Sequence, residues 1–240
     1  AIIDYHSSIP MHILYFGDQS PGTTSAHRAA ALNRLGHTLT KIDPVQFLPN
    51  FSRLESWLHY RTGYRFVQKK LLRTLTSIFD NNSLKPDVIW VDSGEYFGPN
   101  VIASLRLWFS VPVILFNLDD PTWTRDWQRF GSLRACLPNY DLCICVRTET
   151  LLEMLALGAA NVMRVWRSYD EIEHFSTDCR STSIDYPQLH SSSVFVGTYI
   201  PGEKRDCFLL KLLESGLPVR IFGNGWQRSP SYRLLNRVLL

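Results

Sequence analysis

Short apolar runs alternate with helical stretches through residues 11–170 of the chain. The apolar runs predict six strands, in "MHILYFGD", "HTLTKIDP", "PDVIWVDSG", "VPVILFNLDDP", "YDLCICVRT" and "NVMRVW". Between them, apolar side chains recur at helical spacing, as in "SAHRAAALNRLG", "GPNVIASLRLWF" and "TLLEMLALG". Strands that alternate with helices, and that are apolar along their length, favour a parallel sheet covered on both faces. The pattern therefore predicts an α/β, doubly wound, Rossmann-like domain.

A second, smaller unit follows a polar stretch. Residues 171–191 are rich in Ser, Thr and Asp and are predicted to be a linker. The strand "SVFVGTYIPG", the helix "EKRDCFLLKLLESG" and the strand "LPVRIFGNGW" then form one βαβ unit. We interpret residues 192–240 as the incomplete start of another Rossmann-like domain, and residues 1–10 as an extension ahead of the first strand.

Composition and charge exclude some classes of protein. The net charge of +3 is mild and no Lys- or Arg-rich run is visible, so nucleic acid is not expected as a partner. No apolar run reaches the ~18 residues that a membrane-spanning helix needs, and no signal peptide is visible, so we expect a cytoplasmic protein. The five cysteines include no CxxC pair, which favours buried, reduced thiols over a disulfide or a zinc site. No metal site is predicted.

In open α/β sheets, ligands bind beyond the carboxyl ends of the strands, so the turns after the strands contain the candidate site residues. The turn after the first strand, "GDQSPGTTS", precedes a helix whose free N–H groups could meet an anion. Its candidates are Gly17, Asp18, Gly22, Thr23 and Ser25, with His27 in the first turn of the helix. The turn lacks the GxGxxG spacing of a dinucleotide site. An ordinary loop with Thr24 or Ser25 as the helix N-cap, and a surface His27, explains the same residues.

Carboxylates follow the third and fourth strands. Asp92, Ser93 and Glu95 lie in "DSGEYFG", and Asp119 and Asp120 lie in "NLDDPTW". Because parallel strands place their carboxyl ends at one edge of a sheet, we expect these turns and "GDQSPGTTS" to lie at the same edge. A carboxylate there could deprotonate a hydroxyl or orient a sugar, and Asp120 and Asp119 are the candidate catalytic residues. The alternative is that Asp before Pro only forms the turn.

Two aromatic segments have more than one interpretation. Trp123, Trp127 and Phe130 are spaced as on one face of a helix, which is typical of core packing, although the rings could also stack on sugars. In "WLHYRTGYR", Arg61 and Arg65 could bind an anionic acceptor. A solvated loop is the simpler interpretation of that segment.

The smaller unit has its own candidate ligand residues. Gly197 and Tyr199 precede a helix with Arg205 in its opening turn. A cation near a helix N-terminus opposes the helix dipole, so phosphate oxygens would give Arg205 a reason to be there, whereas the alternative is a solvated charge. The turn after the last strand could let backbone approach a ligand closely. Its residues are Gly223, Asn224, Gly225 and Trp226.

The segments "HILYFGD", "TTSAHRAAALNRLGH", "KPDVIWVDSG", "NLDDP" and "VFVGTY" through "GLPVRIFGNGW" together resemble the CgeB/YkvP-type glycosyltransferases of the GT-B fold. The resemblance extends, in order, from Met11 to Trp226. It implies a first domain that receives an acceptor and a second that binds a nucleotide-sugar donor, with no other cofactor. It also implies an acceptor side and a donor side. The acceptor side would hold Gly17, Gly22, Thr23, Ser25, Asp119 and Asp120, and the donor side Gly197, Tyr199, Arg205, Gly223, Asn224, Gly225 and Trp226.

The sequence departs from that family after Trp226. Family members carry an acidic residue in an E-plus-glycine motif beyond this point, and nothing in the remaining residues matches it. The chain is therefore expected to be a truncated form that binds a nucleotide-sugar weakly or not at all. A single βαβ unit cannot cover both faces of its own sheet, so an uncovered apolar face is expected in the second domain, which either the first domain or self-association with another copy of the chain could cover. A non-catalytic binding or regulatory module that keeps the acceptor domain is the alternative, and a different enzyme on the same fold is a third possibility.

Overall fold

A computed structural model describes residues 9–48, 50–80, 83–124, 126–174 and 193–236 of the 240-residue chain. These residues form two compact units, one of residues 9–174 and one of residues 193–236. Most of the predicted extension and of the predicted linker lies outside the described residues. No helix among the described residues is long and apolar enough to cross a membrane.

The larger unit is built on a sheet of six parallel strands. They are β1 His12–Phe16, β2 Thr38–Ile42, β3 Val88–Asp92, β4 Val113–Phe116, β5 Leu142–Cys145 and β6 Val162–Arg164. Their order in the sheet is β2-β1-β3-β4-β5-β6, and every neighbouring pair is parallel. The chain moves outward from β1 in both directions, so a topological switch point lies between β1 and β3, where such sheets bind ligands. The predicted α/β, doubly wound fold is confirmed.

Six helices connect or follow these strands: α1 Thr24–Arg34, α2 Arg53–Arg61, α3 Gln68–Phe79, α4 Pro99–Phe109, α5 Gly131–Cys136 and α6 Thr148–Ala156. Alternate residues of the strands point to opposite faces of the sheet. On β1, Leu14 and Phe16 pack with α3 and α4, whereas Ile13 and Tyr15 pack with α1. Both faces are covered, which explains why the central strands β1, β3, β4 and β5 are largely apolar along their length.

Helix α2 corrects the interpretation of "WLHYRTGYR" as a solvated loop. Ser52 caps the helix by accepting a hydrogen bond from the Glu55 N–H, while the Glu55 side chain accepts from the Ser52 N–H. This capping box satisfies two backbone donors that a helix start otherwise leaves unpaired. The spacing Ser-x-x-Glu is visible in the sequence and could have indicated the helix.

The aromatic stripe also differs from its prediction. The described residues between Pro121 and Phe130 form turns rather than a helix, so helical spacing does not place the three rings on one face. Phe130 is buried in the core, but Trp123 and Trp127 are exposed, and core packing is the wrong interpretation for both. The Arg134 guanidinium lies 3.5 Å from the centroid of the Trp127 ring and holds it against the surface.

The cysteines of the larger unit are buried thiols without a disulfide partner, as expected: Cys136, Cys143 and Cys145. Burial raises the pKa of the Cys136 thiol to about 12, so it stays protonated and unreactive. Cys207 departs from the prediction because it is exposed, and Cys179 lies outside the described residues.

The segment after β6, residues 165–174, folds back onto helix α1. Arg34, at the end of α1, contacts the Asp170 carboxylate at 2.9 Å and that of Glu171 at 3.0 Å. The other Asp170 oxygen accepts hydrogen bonds from the Ile172 and Glu173 N–H groups. The Arg34 contact lowers the pKa of the Asp170 carboxyl to about 2.

The smaller unit contains parallel strands β7 Ser193–Val196 and β8 Val219–Phe222, helix α7 Arg205–Glu214 and the short helix α8 Tyr232–Leu235. These strands and α7 confirm the predicted βαβ unit. Leu209 of α7 and Ile221 of β8 are fully buried in its core, together with Trp226. On β7, Val194 and Val196 are exposed, which agrees with the expected uncovered apolar face.

The core of the larger unit makes a stability prediction. Leu75 of α3 is fully buried, whereas Leu107 of α4 is 80% exposed. We expect Leu75→Ala to lower the free energy of unfolding by about 2–5 kcal/mol, because it removes apolar contacts and leaves a cavity. Leu107→Ala makes the same chemical change at the surface and should stay within about 0.5 kcal/mol. Urea unfolding of both variants would measure this, and equal losses would contradict the placement of α3.

The pairing of Arg34 with Asp170 predicts a pH dependence. Because the folded pKa of Asp170 lies below its ordinary value of 3.8, this contact stabilises the fold fully above that value and is lost as pH falls through about 2. The difference in urea midpoint between the wild type and Arg34→Met should therefore shrink as pH is lowered from 5 to 2. Arg73→Met removes an exposed cation and should show no such trend. A difference that is constant over this range would contradict the prediction.

Candidate functional site

The carboxyl ends of β1, β3 and β4 meet at one edge of the six-stranded sheet. The turns after these strands are tied to neighbouring strands, since Gly17 N–H donates to the Ile42 carbonyl and Ser93 N–H donates to that of Phe116. Asn117 N–H donates to the Ile144 carbonyl in the same way. The expected grouping of the three turns at one edge is confirmed, and these turns frame the candidate site.

Asp92, at the end of β3, is buried in a network that joins β1, β3 and α1. The Tyr15 hydroxyl donates to its carboxylate at 2.7 Å, and the Arg28 guanidinium contacts the same oxygen. Arg28 also lies 3.8 Å from the centroid of the Phe116 ring. Burial, and then the charge of Asp92, raise the pKa of the Tyr15 phenol well above its usual range, so it remains a donor. Asp92 therefore holds the edge of the sheet together through buried contacts with Tyr15 and Arg28.

Gly17 sits where the first turn passes closest to this network. A Cβ atom at this position would lie 2.2 Å from the Ser25 hydroxyl oxygen and 3.0 Å from the Cβ of Asp92. Ser25 is itself buried, and its hydroxyl lies 3.2 Å from that of Tyr15. Both residues are thus explained by close packing of the turn against β3.

Other residues of the first turn form hydrogen bonds with one another and with the start of α1. Thr23, not Thr24 or Ser25 as predicted, is the N-cap of α1, and its hydroxyl oxygen accepts from the Ala26 N–H at 3.2 Å. The same hydroxyl donates to the Asp18 carbonyl, and the Asp18 carboxylate accepts from the Ser20 N–H. These bonds fix the entry of α1 at the edge of the sheet.

The turn after β3 is held in an unusual backbone conformation. Ser93 and Gly94 have φ angles of 65° and 72°, in the left-handed region that non-glycine residues rarely occupy. The Ser93 carbonyl accepts from the Asn117 side-chain amide at 2.9 Å, and the Asn117 oxygen accepts from the Asp119 N–H at 2.7 Å. Buried Asn117 was not among the predicted site residues, yet it links the turns after β3 and β4. Backbone strain of this kind clusters at functional sites.

Arg129 brings two of the predicted carboxylates together. Its guanidinium donates to Glu95 and lies 3.5 Å from an Asp119 oxygen. Burial opposes its charge, but Glu95 more than compensates and raises the pKa of Arg129 above its usual range. The Glu95 side chain is mostly covered, whereas that of Asp119 is 56% exposed. Arg129 was also missed, because nothing in the sequence connects a turn residue to carboxylates that precede it by ten and more positions.

Asp119 and Asp120 have different surroundings despite being adjacent. One Asp120 oxygen accepts from the Thr122 N–H and hydroxyl, and the other lies 3.4 Å from the Arg147 guanidinium. This is the Asp-before-Pro turn that was the alternative interpretation. Asp119 is left as the accessible carboxylate of the pair.

A cleft of about 170 Å³ opens beside these turns, within the larger unit. The His27 and His174 rings contact each other edge to face in its lining, with centroids 5.3 Å apart. The 165–174 segment forms one wall, although the sequence indicated only the end of a domain there. The lining residues are Thr24, His27, Arg28, Ala31, Leu118, Arg167, Ser168, Tyr169, Asp170 and His174. Of the predicted site residues, only His27 lies in this lining.

Among the described residues, no group of three or more His, Cys, Asp and Glu side chains is arranged to hold a metal ion. Asp92, Glu95 and Asp120 each contact an arginine instead. The functional groups at this edge of the sheet are therefore arginine–carboxylate pairs and hydrogen-bond donors.

In the smaller unit, the turns after β7 and β8 lie against each other. The Trp226 indole donates to the Gly197 carbonyl at 2.9 Å, and Tyr199 N–H donates to the Asn224 carbonyl at 2.9 Å. A Cβ atom on Gly223 would lie 2.2 Å from the Gly197 carbonyl oxygen, so only glycine permits this approach. The predicted donor-side turns are therefore neighbours in space, and Gly225 leads into the turn of Trp226.

Arg205 has partners within this unit. Its guanidinium donates to the Thr198 carbonyl at 2.9 Å and pairs with Glu203. A carboxylate next to Arg205 offsets the unfavourable position of the cation at the start of α7. A phosphate would have to compete with Glu203 for it.

No family model matches the sequence, and no curated protein is similar to it. Solved structures share its fold. One is an alpha-glucosyltransferase in complex with UDP-glucose and DNA containing an abasic site, with a TM-score of 0.56 and 13% identity over 95% of this chain and 60% of that one. Another is an alpha-glucosyltransferase in complex with UDP and a 13-mer DNA containing a central A:G mismatch, with a TM-score of 0.53 and 12% identity over 95% and 58% of the two chains.

At such low identity, this likeness establishes the fold alone. The chain has the α/β architecture of GT-B glycosyltransferases, and it spans about three fifths of the length of these neighbours. Both neighbours were solved with DNA, a class of partner that the charge and composition of this chain did not predict. The resemblance to CgeB/YkvP-type enzymes remains a prediction.

Proposed function

We propose that the protein is a GT-B glycosyltransferase that moves a sugar from a nucleotide-sugar donor to an acceptor, as the CgeB/YkvP-type resemblance predicts. The observation that carries the proposal is a likeness in fold, across 95% of the chain, to alpha-glucosyltransferases solved with UDP-glucose and with UDP. Polar side chains at the carboxyl edge of the six-stranded sheet support it, since open α/β sheets bind their ligands there.

Asp119 is our candidate for the general base that takes a proton from an acceptor hydroxyl. Its side chain is exposed, and the loop that carries it is fixed by Asn117 and Arg129. A general base must reach the proton that it removes and must be free to accept it. Asp120 has both oxygens engaged, so we assign it the role of shaping the turn.

The cleft beside His27 and Arg167 is our candidate for the acceptor pocket. Its volume of about 170 Å³ is below the ~300–1,000 Å³ of sites for drug-sized ligands, so it suits a single sugar ring or a group of that size. The Arg167 guanidinium and the two histidine rings offer hydrogen-bond donors to such a polar group.

The smaller unit is our candidate for the donor side. This assignment follows the resemblance of Gly197, Tyr199 and residues 223–226 to the donor side of the family. The contact between Trp226 and Gly197 supports it, because it brings the two glycine turns together as a single backbone surface. Glycine turns next to a helix start are a common setting for phosphate groups.

The proposed activity is tested directly by nucleotide release. The natural protein in which this sequence occurs would be incubated with UDP-, GDP- and dTDP-sugars and a panel of sugar acceptors. We expect one donor to be consumed, with nucleotide released in step with the glycosylated product. Failure to consume any donor, in a protein shown to be folded, would contradict the proposal and favour a non-catalytic binding module.

The carboxylate assignment makes a separate prediction. Asp119→Asn should lower kcat by about 10²–10⁴-fold without changing the melting temperature, because it removes the base and leaves the turn intact. Asp80→Asn is the matched control, since Asp80 is exposed at the end of α3, and its kcat should not change. Asp120→Asn should mainly lower the melting temperature. An Asp119→Asn variant with normal turnover would remove this carboxylate from the mechanism.

The acceptor pocket predicts a different kinetic effect. Arg167→Met removes an exposed donor from the cleft and should raise the KM for the acceptor by about 10–100-fold, the equivalent of one charged hydrogen bond. The KM for the donor should not change. Arg73→Met, at an exposed arginine of α3, serves as the control. An unchanged acceptor KM, or an equal rise in both KM values, would place the acceptor elsewhere.

A further inference from the structure

Helix α2 is amphipathic, yet it has no buried residue. Leu54 is 74% exposed, Trp57 54% and Leu58 42%. Their spacing of three and four positions places them on one face of the helix. An exposed apolar helix face that none of the described residues covers is typical of an interaction surface.

The same part of the chain carries a concentrated positive charge. Residues 53–73 contain six cations and a single carboxylate, Glu55, which gives a net charge of +5. The whole chain has a net charge of +3, so all other residues together carry −2. The cations are all exposed: Arg53, Arg61, Arg65, Lys69, Lys70 and Arg73. The total charge therefore conceals a strongly basic stretch of the chain with exposed side chains.

These cations have no acidic partners in the part of the chain that the structure describes. None of the six lies within ion-pair distance of a described carboxylate, and Glu55 is engaged in the capping box with Ser52. Two of them lie beside exposed rings. Arg61 is 5.6 Å from the centroid of Trp57, and Arg65 is 4.6 Å from that of Phe66. Charge and apolar surface are thus interleaved.

We propose that this α2–α3 surface, formed by the exposed side chains of residues 53–73, docks on an anionic lipid membrane. Leu and Trp on one face with Arg and Lys around them is the composition of helices that lie in a membrane interface. The rings and leucines would enter the boundary between headgroups and acyl chains, while the cations would meet lipid phosphates. None of the described helices would cross the membrane in this arrangement.

Two other occupants fit the surface less well. Nucleic acid would match the cations and could stack on the rings, but Leu54 and Leu58 would gain nothing from bases or phosphates. A second copy of the chain would bring six exposed cations against the same six, which costs free energy. An anionic lipid surface would pair with the cations and bury the leucine side chains at the same time.

The surface is connected to the candidate site through hydrogen bonds. The Tyr60 hydroxyl donates to Asp126 at 2.7 Å, and Arg61 donates to the Gln128 side chain at 2.8 Å. The neighbouring Arg129 contacts Glu95 and Asp119 at the edge of the sheet. Docking would therefore place this edge near the membrane, although the docking proposal stands whether or not the protein transfers a sugar.

Vesicle co-sedimentation tests the proposal. The full chain would be mixed with vesicles of phosphatidylcholine alone and with vesicles that contain phosphatidylglycerol as well. We expect binding to the anionic vesicles only, and weaker binding as salt is raised from about 0.1 M to about 1 M, where the screening length falls from about 10 Å to about 3 Å.

Two variants separate charge from apolar insertion. The triple variant Lys69→Gln, Lys70→Gln and Arg73→Gln should lower the partition coefficient on the order of 100-fold, at about fivefold for each charge. The control triple Lys41→Gln, Lys85→Gln and Lys211→Gln makes the same change in total charge at exposed positions elsewhere and should lower it by less than about fivefold. The pair Leu54→Ser and Trp57→Ser should lower it at least about tenfold, whereas Leu107→Ser should not.

Each outcome supports or contradicts the proposal that residues 53–73 dock on an anionic membrane. Equal losses in the two triple variants would show that binding follows total charge and would overturn the proposal. Binding of a DNA duplex without binding of anionic vesicles would assign the surface to nucleic acid and would also overturn it. So would a wild type that binds neither. The substituted side chains are exposed, and circular dichroism of each variant would confirm that it is folded.

Discussion

The buried carboxylate of Asp92 is the contact on which the edge of the large sheet depends. It ends β3, accepts from Tyr15 of β1 and pairs with Arg28 of α1, so one side chain joins the two strands at the switch point to the helix that covers them. Removing one partner of a buried ion pair typically lowers the free energy of unfolding by about 3–5 kcal/mol, because the remaining charge is then buried away from water without a partner. With this contact in place, the first turn can pass so close that position 17 accepts only glycine. The site is therefore built on a polar network inside an apolar sheet.

The fold could be predicted from the sequence because its signals are local and repeated. Apolar runs mark all six parallel strands, and helical spacing marks α1, α3, α4 and α6. Helix α2 was missed because it lacks a buried face, although Ser52 and Glu55 have the Ser-x-x-Glu spacing of its capping box. The turns near Trp127 were misinterpreted because the spacing of a few aromatic residues alone does not show that a segment is helical.

The sequence indicated some residues at the candidate edge of the sheet but not their partners, for a physical reason. Strand ends can be located from the sequence, so Asp92, Glu95 and Asp119 were correctly placed at one edge. Their partners cannot be located in this way: Arg129 and Asn117 reach the carboxylates and turns through tertiary contacts that have no sequence signature. The net charge of the chain was also an incomplete guide to its surface. A net charge of +3 suggested an ordinary surface, but its distribution places a charge of +5 within residues 53–73.

The central claim of this account is that the smaller unit holds the donor and that the edge of the six-stranded sheet receives the acceptor. Diffraction from crystals of the natural protein in which this sequence occurs, grown with UDP-glucose and an acceptor sugar, would test it most directly. We predict nucleotide density against the turns at Gly197 and Gly223, and sugar density in the cleft beside His27 and Arg167. Nucleotide density at the edge formed by the ends of β1, β3 and β4 would contradict it, because the larger unit would then be the donor domain.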